Sequence, residues 1–135
     1  MIHYPVKILI AFGEAISGKA KFLHWLKSNG YPELAATANA LHVNDEAFDW
    51  LMKHKFPHYG AFVKAVWDDE KALEWLKKHQ FEFLALFAEA CNEVEDALAW
   101  LSDHDLKIFI AISQKIAAYK AKKNYDLTDY HKIQF

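Results

Sequence analysis

The chain contains no arginine, and all sixteen of its basic residues are lysine. That absence counts against specific reading of phosphate or base edges, for which the planar, bidentate guanidinium is the favoured tool. A single cysteine, Cys91, excludes an internal disulfide, so the fold must rest on packing and suits a reducing compartment. Four glycines and three prolines in 135 residues are too few for a turn-rich β architecture or a disordered chain. No apolar run reaches the ~18 residues that a membrane span needs. The start, Met1-Ile2-His3-Tyr4-Pro5, lacks the basic segment and small-residue cleavage site of a signal peptide. The expectation is a soluble cytoplasmic protein with no membrane partner.

Charge is no stronger a guide, because the formal net charge is −2. Lys115, Lys120, Lys122 and Lys123 cluster near the C-terminus, a grouping that a solvated helix end explains, so a nucleic-acid partner is not expected. What the chain does have is apolar surface. Hydrophobic residues make up 53% of it and aromatics 16%, enough for one well-packed domain.

That surface is arranged in a repeat. Segments starting at residues 22, 47, 72 and 97 read Phe-Leu-His-Trp-Leu, Ala-Phe-Asp-Trp-Leu, Ala-Leu-Glu-Trp-Leu and Ala-Leu-Ala-Trp-Leu, with no insertion between copies. Four residues after each Trp stands Asn29, His54, His79 or His104, and nine after it Leu34, Tyr59, Leu84 or Phe109. Fifteen after it come Ala40, Ala65, Ala90 or Lys115. One fixed period of 25 residues accounts for all of these positions.

Each unit reads as two short helices. The first has an acidic start, as at Asp45-Glu46, and a Lys/His-rich end, as at Lys77-Lys78-His79, which suits the helix dipole. Its apolar positions lie at −3, −2, 0 and +1 from the Trp, the stripe of a core-facing helix. Pro32 and Pro57 then open second helices, since a proline at the first helical position loses no bond. The second helices are expected over 32–42, 57–67, 81–92 and 107–118. Leu9, Phe12, Ala15 and Ile16 fit the same register as a leading half unit.

The expected fold is therefore all-α, a right-handed α-α superhelix or solenoid of about nine short helices in a single domain, 1–135. It divides into a half repeat at 5–18, repeats at 19–43, 44–68, 69–93 and 94–118, and a C-terminal cap and tail at 119–135. The tail is set apart because Tyr125 replaces the fifth Trp and Asp126-Leu127-Thr128-Asp129 cannot repeat the Leu. With helix layers ~8–10 Å apart, the units would stack into a rod or arc of about 40 Å. Over residues 5–121 this organisation resembles the α-solenoid class that includes TPR, HEAT and ankyrin arrays. The unit is shorter than theirs and carries none of their signatures. The resemblance implies binding of proteins or peptides along an extended surface, as an analogy of architecture.

The repeated Trp25-Leu26, Trp50-Leu51, Trp75-Leu76 and Trp100-Leu101 pairs are read as shared structural core. On that reading Trp50→Ala or Trp75→Ala would cost ~3–5 kcal/mol. His54, His79 and His104 are read as caps on the carbonyl ends of their own helices, since ~10 Å between repeats is too wide for a common metal. No metal, cofactor or catalytic residue is expected, because no HExxH, G-x-S-x-G or P-loop pattern occurs. Cys91 takes the slot of Leu41, Val66 and Ile116 and is read as a buried structural thiol.

Departures from the repeat are the better guide to recognition. Trp67 stands where other units have His42, Asn92 and Ala117, Phe83 where they have Glu33 and His58, and Met52 where they have Lys27, Lys77 and Ser102. Large apolar groups at such positions suit an interface anchor. The expectation is a non-catalytic protein- or peptide-interaction scaffold using Trp67, Phe83 and Met52, with self-association as the alternative. A nucleic-acid binder or a cryptic enzyme ranks last.

Overall fold

The computed structural model describes the backbone of residues 1–133 and the side chains of residues 1–124. Its described residues form nine α-helices and no strand: α1 (Val6–Ile16), α2 (Ala20–Ser28), α3 (Pro32–Leu41), α4 (Asp45–Lys53), α5 (Pro57–Val66), α6 (Glu70–Lys78), α7 (Glu82–Cys91), α8 (Glu95–Asp103) and α9 (Lys107–Ile133). The contacts are pairwise, each helix packing on its neighbours in sequence and each odd-numbered helix also on the next odd one.

Local chemistry sets the helix ends. Pro32 and Pro57 open α3 and α5. The Asn44 and Asp69 side chains accept hydrogen bonds from Ala47 N and Ala72 N, capping α4 and α6. The first eight helices stop at a left-handed residue: Gly18, Val43, Asp68 and Glu93 after α1, α3, α5 and α7, and Gly30, Lys55, Gln80 and Asp105 after the helices between. The amide one residue further on then bonds the carbonyl five residues back, as from Phe56 to Leu51 and from Val94 to Glu89. Six of those eight residues are not glycine, so the turns carry strain that the packing must hold.

The odd helices form an inner ring. α1 packs on α3, α3 on α5, α5 on α7, α7 on α9, and α9 returns to pack on α1. The expected rod or arc is thus replaced by closure, and first and last helices are neighbours. Three layers fill the interior at matched positions: Leu9, Leu34, Tyr59, Leu84 and Phe109; then Phe12, Thr37, Phe62, Phe87 and Ile112; then Ile16, Leu41, Val66, Cys91 and Ile116, all buried. Phe62 and Phe87 stack with ring centres 5.0 Å apart, and Phe87 meets Phe109 edge-on at 5.2 Å. Thr37, the one polar group of the middle layer, donates to Glu33 O at 2.7 Å.

Each even helix lies outside, over the seam between two inner helices. The two halves of the Trp-Leu pair then differ. Leu26, Leu51, Leu76 and Leu101 are completely buried, whereas Trp25, Trp50 and Trp75 are half-buried and Trp100 is exposed. The leucines are the shared core, and the tryptophans line its outer edge.

A second difference concerns the C-terminus. The expected break after residue 118 does not occur, and α9 continues as one helix to Ile133. The side chains of Tyr125 and of 126–129 lie outside the described residues.

Candidate functional site

Both mouths of the ring are closed by side chains. At the end where the odd helices begin, Tyr4 crosses the opening: its hydroxyl donates to Glu33 Oε2 at 3.0 Å and lies 3.1 Å from the Tyr59 hydroxyl. Burial pushes both phenols up in pKa, so they stay neutral donors. His58 stacks on Phe81 at 4.8 Å, and burial holds its imidazole below the usual histidine range.

At the other mouth a hydrogen-bond ladder ties the inner helices together. His42 Nε2 donates to Ile16 O at 2.8 Å, Trp67 Nε1 to Leu41 O at 3.1 Å and Asn92 Nδ2 to Ala65 O at 3.3 Å. Three different residues at one repeat position therefore do the same thing: each links the end of its helix to the end of the previous inner helix. The extension of α9 covers them. Tyr119 packs on His42 and edge-on to Trp67, while Lys120 Nζ donates to Asp68 at 2.8 Å and to Asn92 at 2.7 Å. The space enclosed by Ile16, Leu41, Val66, Ile116 and this cover has no room for a water molecule.

Clefts open instead on the outer wall, where outer helices meet inner ones. The cleft beside α3 and α4 measures about 520 Å³ and runs over Pro32, Ala36, Asn39 and Trp50. Its counterpart beside α1 and α2, about 410 Å³, is framed by Lys7, Ile10, Lys21, Phe22 and Trp25. A third, about 490 Å³, lies between α4 and α5 over Val43, Phe48, Lys64 and Trp67, with Lys123 at its rim.

Along the wall, His54, His79 and His104 each donate through Nδ1 to the carbonyl of Trp50, Trp75 and Trp100 at 2.8, 2.9 and 2.8 Å. Each imidazole also stacks on that same indole, with centres 3.8–4.3 Å apart. Asn29 makes the equivalent bond to Trp25 O, and Lys7 stands over that indole instead. The histidines thus satisfy a helix-end carbonyl and cover one face of a half-exposed ring.

Met52, Trp67 and Phe83 do not converge. Met52 is exposed on α4 beside Gly60, Trp67 is tied to Leu41 at one mouth, and Phe83 packs edge-on to Phe109 at 4.9 Å. Cys91 is buried, and that burial drives its thiol far up in pKa, leaving little thiolate. No cluster of three His, Cys, Asp or Glu side chains able to hold a metal ion occurs among the described residues. No helix among them is long and apolar enough to cross a membrane.

The seam between α9 and α1 stands apart from the others and was missed in the sequence. Lys115, in the slot of Ala40, Ala65 and Ala90, lays its side chain over Gly13, with Cδ 3.3 Å from where a Cβ would sit. Its ammonium pairs with Glu14 at 3.5 Å and donates to Ser17 Oγ at 3.3 Å. Lys19 holds the other oxygen of Glu14 at 2.6 Å, and these lysines keep that carboxyl below the usual carboxylate range. The substitution of Lys for a repeated Ala, and Gly13 for the Ala38, Val63 and Ala88 that follow it, were the available signals. The chain matches no described protein family, and neither a characterised protein nor a solved structure is similar to it.

Proposed function

We propose that the protein is a non-catalytic interaction scaffold that binds protein or peptide segments on its outer wall. One observation carries this reading: the interior and both mouths are filled by side chains, while the wall presents open clefts and exposed apolar groups, among them Val43, Met52, Val94 and Trp100. Apolar groups left in water on an otherwise well-packed domain suit a partner surface. The building unit in this proposal is the 25-residue helix pair, supported by left-handed residues at 18, 43, 68 and 93 and at 30, 55, 80 and 105. Of the three anchors read from the sequence, Met52 is the foremost, because it is exposed, whereas Trp67 is hydrogen-bonded to Leu41 O and Phe83 packs against Phe87 and Phe109.

Affinity capture with wild type, Met52→Glu and Trp100→Glu, all shown to fold by circular dichroism, tests the reading. Partners lost with either variant support it. An identical captured set from all three, with no change in mass by light scattering, overturns it. Self-association is the second reading, and it would appear as a concentration-dependent mass that either variant abolishes.

A further inference from the structure

The inner ring has five seams, and outer helices cover four of them. α2 covers α1/α3, α4 covers α3/α5, α6 covers α5/α7 and α8 covers α7/α9. Over α9/α1 no outer helix lies among the described residues. We propose that this bare seam is the docking site for an amphipathic helix of a partner protein, one with an acidic flank. The proposal rests on the scaffold reading and names its site and the chemistry of its partner.

The covered seams show what a cover does. A Cβ on Gly60 would stand 2.9 Å from Met52 Sδ and 3.2 Å from the Phe48 ring, so α4 presses directly on that position of α5. Ala35 and Ala85 occupy the same position in α3 and α7 and are buried, and Ile110 in α9, under α8, is half-buried. Ile10 occupies it in α1 and is 50% exposed, with Val6, one turn earlier, 58% exposed. Across the seam, Ala111 of α9 is exposed where Ala11 and Ala36 are buried and Ala61 and Leu86 half-buried. Among the described residues of the inner helices, large apolar side chains thus stand exposed only on α1, beside the missing cover.

Charge indicates what would fit. Lys7 and Lys21 frame the cleft that Ile10 lines, and Lys107 is exposed at the α9 position matching Pro32, which lines the α3/α4 cleft. Glu14, the one acid on the seam among the described residues, is already engaged by Lys19 and Lys115. The seam therefore offers a greasy floor with unneutralised positive charge, complementary to an acidic helix. Three of the chain's own covering helices begin with acids, at Asp45-Glu46, Glu70 and Glu95-Asp96. Each of the four inserts one fully buried leucine beside its tryptophan. A partner helix of about the same length, acidic at its start and carrying an aromatic-leucine pair, meets these demands.

The probe is a fluorescein-labelled, end-blocked peptide with the sequence of residues 93–105, the most acidic covering helix of this chain. Titrated with the full chain, it should bind with Kd below about 1 mM, the weak affinity expected of a short peptide that must order on binding. Amide shifts should centre on Val6, Ile10 and Ala111. Ile10→Glu should weaken binding at least tenfold, as should replacing the peptide's acids with lysine. No binding by the wild type, full binding by Ile10→Glu, shifts centred on α7 and α8, or peptide-independent dimerisation would each overturn the proposal. If the wild type fails here while Met52→Glu or Trp100→Glu still loses captured partners, only the bare-seam site falls and the wider scaffold reading survives.

Discussion

At one position of the inner ring, α3, α5 and α7 carry Ala35, Gly60 and Ala85, all buried, while α1 carries Ile10, half in water. Two ways of finishing a helix seam meet in that comparison. Under α2, α4 and α6 the inner residue is small and allows close helix approach, under α8 Ile110 is half-buried, and a leucine from each cover completes the core. Where none lies, between α9 and α1, the chain uses a long side chain. Lys115 spreads its methylenes over Gly13 and anchors its charge on Glu14 and Ser17. Covered seams are closed by buried leucines. The bare seam is held partly by charge, so it should respond to pH and salt.

The largest effects should come from the covers. Leu76→Ala removes a completely buried side chain and should cost ~2–5 kcal/mol, whereas its half-buried neighbour Trp75 should cost less on truncation. Guanidinium unfolding followed by circular dichroism ranks the two, and a Trp75→Ala loss larger than that of Leu76→Ala would restore the tryptophans to the core. Next, copying the bare seam into a covered one should fail: Gly60→Ile would drive atoms into Met52 and Phe48, costing ~1–3 kcal/mol by overpacking. The converse change, Ile10→Ala, should shift stability by only about 0.5 kcal/mol, because that side chain already meets water.

Acid should separate the seams further. His58, held below its ordinary value of 6.5 by burial, binds its proton more readily when unfolded, so stability falls as pH drops below about 6.5. Glu14 is held down by Lys19 and Lys115, so its contribution is complete above about pH 4.5 and is lost as pH falls through its lowered value. Melting curves from pH 7.5 to 3.5 should therefore show a first decline that His58→Phe removes. A second decline should accompany faster hydrogen exchange in α1 and α9. The smallest effect expected is a gain: Val43 sits at φ 65° in an exposed turn, and Val43→Gly should relieve up to about 1 kcal/mol of strain, less the entropy a glycine loses on folding.

Helix positions were legible in the sequence because capping and packing act locally and recur. Asp45-Glu46, Pro32 and Pro57 mark starts by their own chemistry, and the spacing of Leu26, Leu51, Leu76 and Leu101 marks the shared core. Closure was not legible, because it depends on the rotation between successive helix pairs, which no single residue specifies. The phase of a helical stripe also could not separate Trp75 from Leu76: adjacent positions lie on the same broad face, but only one points into the seam. At the site, departure from the repeat proved an ambiguous signal. Trp67 differs from His42 and Asn92 in size yet shares their donor role, whereas the quieter changes at Ile10, Gly13 and Lys115 mark the seam that differs.

Ring closure can be tested most directly by zero-length carbodiimide cross-linking. Glu14 and Lys115 lie near opposite ends of the sequence, yet their charged groups are 3.5 Å apart. Mass spectrometry of the digested monomer should recover a peptide pair joined through Glu14 and Lys115, alongside the local Glu14–Lys19 product. Finding only the local product, or finding Glu14–Lys115 joined solely in a dimeric species, would mean that the inner helices form an open stack and not a ring.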